Sequence, residues 1–174
     1  MEFLELAKKR YSERRFSNRQ VEGPKIAKIL EAGRLAPTAH NLQPQRIYVI
    51  ASEKAREGLL QVTPMTYGAP LVFMICYDKN VSWKNTNDRC YDIYDTGEVD
   101  AAIAAVSMMM EATDLDLVSL WARAFDSRDL IDLYQLPENI VPVCLLSVGY
   151  PSAESRPSKL HNSRKDIDEL VKVL

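Results

Sequence analysis

Arg10-Tyr11-Ser12-Glu13-Arg14-Arg15-Phe16 places three guanidiniums and a hydroxyl within seven residues, just after a short amphipathic opening. A guanidinium is a planar fork of donors that matches a phosphate bidentately, and a serine hydroxyl adds a small partner, so this composition suits a phosphate better than a diffuse negative surface. In an extended segment, alternate residues share a side. Arg10, Ser12 and Arg14 would then aim at one target, with Tyr11, Glu13 and Arg15 facing away. A solvated basic turn after a helix is the other reading of the same residues.

A second stretch is Ala36-Pro37-Thr38-Ala39-His40-Asn41-Leu42-Gln43-Pro44, small and polar residues between prolines, which is neither regular helix nor central strand. It is a loop suited to backbone and short side-chain contacts. The six glycines are dispersed and form neither a dinucleotide fingerprint nor a P-loop. His40 and His161 accompany no Gly-x-Ser-x-Gly turn, which argues against a hydrolase triad. Asp88, Asp92 and Asp95 have no His or Cys at metal-ligand spacing, so no metal site is expected. What remains is phosphate-binding character without an evident nucleophile or base. That fits an enzyme whose cofactor carries the chemistry while the protein holds and tunes it.

The elements that must position these residues alternate in type. Residues 2 to 9 show one-face helical spacing, and Gly23-Pro24 starts a second helix that must stop by Pro37. Arg46 to Ala51 is expected to be a strand, followed by a helix capped by Ser52 and reaching about Leu60. Leu71 to Tyr77 is a strand apolar enough to be buried on both faces. Residues 78 to 95 are expected to form a surface excursion around a short helix. Thr96 or Asp95 caps a long helix to about Thr113, whose alanines let a neighbour approach closely. Leu117–Trp121 and Val141–Tyr150 are further strands, Asp126 caps a helix through Tyr134, and Asp166 to Leu174 is a last helix. The expected class is α+β or α/β, with helices on both faces of the sheet and one domain over 1–174.

Composition narrows the partners. With 174 residues, 47% of them hydrophobic, the chain can bury a sizeable core. A net charge of -2 with interspersed signs argues against nucleic acid. The N-terminus lacks the apolar core of a secretion signal, and no run is long enough to cross a bilayer, so a cytoplasmic protein without membrane partners is expected. Cys76 and Cys144 lie in apolar strands, which suits a reducing compartment.

Five pieces in order carry a resemblance: Arg10-Tyr11-Ser12-Glu13-Arg14, the Pro37–Pro44 stretch, Gly68-Ala69-Pro70 before a strand, Trp121-Ala122-Arg123-Ala124-Phe125, and Gly149-Tyr150-Pro151. Together they resemble the FMN-dependent nitroreductase family over nearly the whole chain. The resemblance implies an α+β homodimer with a central, mostly antiparallel sheet, FMN at the subunit interface, and a hydride passed from NAD(P)H through flavin N5 to a small nitroaromatic, quinone or enone acceptor. It assigns cofactor binding to Arg10, Tyr11, Ser12 and Arg14, with Arg10, Ser12 and Arg14 at the phosphate and ribityl chain or, for Arg10, near the pyrimidine edge. Pro37, Thr38, Ala39 and Asn41 would contact FMN from the partner subunit, and Arg164 would be a late phosphate ligand. No catalytic side chain is implied.

The pattern also departs from the family. Leu115-Asp116-Leu117-Val118-Ser119 stands where a glycine-rich stretch is frequent, Gln45 where an aromatic is frequent, and Arg123 where glycine is frequent. A cation at 123 would block a flavin contact, recognise an acidic acceptor, or point to solvent. An alternative function is therefore a flavin-binding sensor or store with little turnover.

Overall fold

The computed structural model describes residues 2–174. After helix α1 (Phe3–Lys9), the basic segment runs extended to helix α2 (Gly23–Leu35), which has proline in its first turn. A 3₁₀ turn (Ala39–Asn41) leads into strand β1 (Gln45–Ile50). Helix α3 (Glu53–Val62) is capped by Ser52, whose side chain accepts the Ala55 N–H at 3.3 Å. Strand β2 (Leu71–Asp78) is buried along its full length. Residues 78 to 95 contain no helix: β3 (Lys84–Asn85) pairs with β4 (Tyr94–Asp95) as a short antiparallel ribbon, closed by a 3.1 Å ion pair between Lys84 and Asp95.

Helix α4 (Gly97–Asp114) follows, with the Gly97 N–H donating to Asp95 at 2.8 Å, so the aspartate rather than Thr96 supplies the cap. Strand β5 (Val118–Ala122), helix α5 (Ser127–Tyr134), strand β6 (Ile140–Gly149) and the one-turn helix α6 (Ile167–Leu170) complete the chain. The last helix is much shorter than the expected 166–174. None of its residues is buried, and a single turn has no packing to extend it.

The main sheet is antiparallel throughout, in the order β1-β2-β6-β5, which establishes the α+β class. Side chains of β2 alternate between its faces. Leu71, Phe73, Ile75 and Tyr77 pack with Ile29 of α2 and Ala101, Ala105 and Met108 of α4. Val72, Met74 and Cys76 pack with Leu59 of α3 and Leu130 of α5. Both faces are thus covered, and β2 shows the continuous apolar run that burial on two sides requires.

Glycine permits the closest approaches around α4. A β-carbon on Gly97 would lie 2.0 Å from the Tyr77 ring, and one on Gly33 would lie 2.8 Å from the Met108 sulfur. Here α4 is pressed onto the sheet and against α2.

Candidate functional site

The basic segment is fastened to the sheet at both ends. Ser12 forms a parallel bridge with Ser119 of β5, and the Glu13 N–H donates to the Ser119 carbonyl at 2.9 Å. Phe16 bridges Pro151, the Ser17 N–H donates to the Tyr150 carbonyl at 2.8 Å, and the Ser152 N–H donates to the Arg15 carbonyl at 2.9 Å. The segment therefore lies along the β5 edge and across the end of β6. That extended backbone sets the alternation of its side chains.

Glu13 turns inward and is 2% exposed, whereas Ser12 and Arg14 turn outward. Arg15 pairs with Glu154 at 3.2 Å. The outward side chains face a cleft of about 280 Å³. Arg10, Ser12 and Arg14 line one side of it, and Ser158, His161 and Arg164 of the tail line the other. Tyr11, which alternation would turn away, also reaches the cleft, because its ring stands edge-on to His161 at 6.1 Å. The tail is held by the His161 ring, whose Nε2 lies 2.9 Å from the Lys8 carbonyl and donates to it. Arg164 donates to the carbonyls of His161 and Ser163 at 2.6 and 2.7 Å.

The electrostatics are one-sided. Among the described residues no carboxylate lines the cleft, and Arg10, Arg14 and Arg164 form no ion pair. Nearby acids are engaged elsewhere: Asp116 with Lys9, Glu154 with Arg15, and the buried Glu13, behind the cleft, with the Arg14 and Arg15 N–H groups and the Tyr11 and Ser155 hydroxyls. Burial, and then the neighbouring Arg164 cation, hold the Arg10 pKa below its ordinary value. Guanidiniums do not escape such repulsion by deprotonating. They are relieved by an anion, and the donors here match a phosphate: three planar forks and two serine hydroxyls.

Arg10, Tyr11, Ser12, Arg14 and Arg164 are thus brought together. Pro37, Thr38, Ala39 and Asn41 are not among the residues lining this cleft. Their loop is instead tied to α4: the Ala39 N–H donates to Asp100 Oδ1 at 2.9 Å, and Thr96 Oγ1 donates to Asp100 Oδ2 at 3.0 Å. Asp100 is 3% exposed, so the anchor is buried. Thr38 accepts the Gln43 N–H at 3.0 Å, and His40 stacks on Trp83 at 4.9 Å. His40, Asn41 and Gln43 all have φ between 51° and 55°. Non-glycine residues hold that conformation only where surrounding contacts fix it. The loop presents Pro37 and Asn41 to the surface in a defined shape.

Arg123 lies back along its own segment, stacked over Phe125 at 4.5 Å with its donors toward the Phe125 carbonyl and Ser127. It is exposed.

Comparison with known proteins agrees with this architecture. The family model described as "Nitroreductase family" matches residues 7–63 and 63–150. The crystal structure of a nitroreductase family protein from Clostridium difficile 630 superposes with a TM-score of 0.91 at 35% identity, over 99% of this chain and 98% of that one. A protein from Exiguobacterium sibiricum 255-15, crystallised in complex with FMN, has the same fold, with a TM-score of 0.83 at 19% identity over 100% of this chain and 98% of that one. An NADPH-dependent oxidoreductase from Staphylococcus aureus is 29% identical over 160 residues, covering 84% of this chain and 64% of that protein. The matched span runs from the end of α1 to the end of β6, taking in the basic segment, the Pro37–Pro44 loop and the sheet that carries both. By sequence and by fold, the chain belongs to the nitroreductase family of oxidoreductases.

Proposed function

We propose that the protein is an FMN-dependent oxidoreductase that passes a hydride from NAD(P)H to a small organic acceptor of the nitroaromatic, quinone or enone class. The observation that supports this is the cleft in which Arg10, Arg14 and Arg164 converge with Ser12 and no carboxylate. When bound, FMN supplies a ring that accepts a hydride at one time and donates it at another, so no side chain has to act as nucleophile or base. The chain's own residues grip, orient and shield. The guanidiniums neutralise the phosphate, Ser12 and Ser158 offer it hydroxyls, and the Tyr11 and His161 rings wall the cleft.

Size decides what one chain holds. At about 280 Å³ the cleft falls just under the range of roughly 300–1,000 Å³ usual for pockets that enclose a whole small ligand. It suits the phosphate and ribityl end and leaves the ring to be enclosed by something else. A homodimer with FMN at its interface provides that. Phe3 and Leu4 of α1, Val99 and Val106 of α4, and Ile167 and Leu170 of α6 are large apolar residues left exposed on the single chain, and a second copy could cover some of them. A second copy would also bring its shaped Pro37–Asn41 loop to the cofactor, a role that loop does not perform at its own chain's cleft.

The test is spectroscopic. Purified protein supplied with FMN should retain a flavin spectrum, bleach on anaerobic mixing with NADH or NADPH, and recover when a nitroaromatic or quinone is added. Failure to retain FMN would overturn the reading. Bleaching that no acceptor reverses would favour a flavin-binding sensor or store.

A further inference from the structure

We infer that Glu13 is a positioning residue for the cofactor phosphate, a buried carboxylate that holds the two halves of the cationic cleft in register. The two sides of the cleft come from separate segments: Arg10, Ser12 and Arg14 from the N-terminal segment, and Ser158, His161 and Arg164 from the tail. Glu13 joins them. Its Oε1 accepts the N–H groups of Arg14 and Arg15 at 2.8 and 2.7 Å. Its Oε2 accepts the Tyr11 hydroxyl at 3.0 Å and the Ser155 hydroxyl, and those two hydroxyls lie 2.8 Å from each other. A carboxylate offers about four acceptor positions, and here four donors fill them.

An apolar side chain at 13 would also face inward and keep the strand alternation. It would leave two adjacent, part-buried N–H groups and the Ser155 hydroxyl without this partner, a cost that grows with how far water is kept from them. With the carboxylate, the backbone that carries Ser12 and Arg14 is fixed from behind. The tail is fixed to the same point, three residues before Ser158. Glu13 touches no ligand; it sets the distance between the groups that do.

This inference takes the ligand's identity from the flavin reading, but its geometry does not depend on it. The test compares FMN with riboflavin, which lacks the phosphate, for wild type and three variants. Glu13→Ala is expected to weaken FMN by about tenfold or more, the effect of misplacing one charged hydrogen bond, while riboflavin affinity changes by less than about twofold. Glu13→Gln keeps the shape and can bond the same partners, since the hydroxyls can turn to accept, so it should restore FMN to within about threefold of wild type. Ser155→Ala, which frees only the tail, should fall between them and serves if Glu13→Ala does not fold.

Equal loss of both flavins would mean a purely structural role and would overturn the inference. So would unchanged FMN affinity in Glu13→Ala and Ser155→Ala. Stronger FMN binding in Glu13→Gln would show the charge, not the position, to be what matters, and would also overturn it. If wild type took neither flavin, the flavin reading would fall. Protection of the same variants from thermal unfolding by inorganic pyrophosphate would then decide the role of Glu13: protection lost in Glu13→Ala and kept in Glu13→Gln supports it, and equal protection refutes it.

Discussion

Arg10 and Arg164 reach one cleft from the two ends of the chain, and the Arg164 cation adds to burial in depressing the Arg10 pKa. Two like charges held together without a carboxylate work against the cofactor-free protein and in favour of an anion. Arg164→Ala and Arg14→Ala should therefore weaken FMN about 10- to 100-fold, as loss of a charged hydrogen bond does, and should leave the melting temperature of the flavin-free protein unchanged or raised. Isothermal titration and calorimetric melting check the two halves of this prediction.

Asp100 should be the stability determinant of the Pro37–Pro44 loop. Its buried carboxylate accepts from the Ala39 N–H and the Thr96 hydroxyl. Asp100→Ala should cost about 1–3 kcal/mol in urea unfolding by leaving those donors unpaired. Hydrogen exchange at Ala39 should quicken before exchange in β2 does.

Overpacking at the head of α4 is expected to be equally visible. With Tyr77 ring atoms 2.0 Å from the position of a Gly97 β-carbon, Gly97→Ala must displace the ring or the helix, at about 1–3 kcal/mol. A Tyr77→Ala background should remove most of that penalty, which a double-mutant cycle measures.

Two thiols should be silent. Burial pushes Cys76 and Cys144 up to about 12, whereas Cys90 is exposed. A native Ellman titration near pH 8 should count one fast thiol per chain, and two more should appear on denaturation. The sign for stability follows: above about pH 8.5 an unfolded thiol ionises while the folded ones stay protonated. The unfolded state then binds fewer protons, and stability falls as pH rises from there toward about 12. Cys144→Ala should flatten that limb of the pH profile.

Assembly is open to one substitution. Val106 is 44% exposed on α4 and shares a helix face with Val99. In the proposed homodimer packed through this face, Val106→Glu should yield a monomer in sedimentation and a large loss of flavin, since an unpaired charge buried in an apolar contact costs on the order of several kcal/mol; an unchanged dimer would place the interface elsewhere.

Most of the frame was legible because its signals are local. The apolar run Leu71 to Tyr77, the caps at Ser52 and Asp126, and the proline boundary at Pro37 each carry their own physics, and those elements fall within a residue or two of expectation. Residues 78 to 95 were not legible, because the β3–β4 ribbon is held by the Lys84–Asp95 pair rather than by any periodicity. The last helix was overestimated: 166–174 has helical spacing but nothing to pack against.

In the site, alternation correctly aimed Ser12 and Arg14, and the composition pointed to phosphate. Glu13, Ser155 and His161 were missed. Their roles come from contacts between the two ends of the chain, and the one hint in the sequence was an acid set among three arginines.

The central claim is that the guanidinium cleft recognises the phosphate of a flavin nucleotide. It is tested most directly by measuring FMN and riboflavin dissociation constants for the wild-type protein at low and high salt. The account predicts FMN tighter by about 100-fold or more, with that advantage shrinking as salt screens the guanidiniums. Equal affinity for the two flavins, or an FMN preference indifferent to salt, would contradict it.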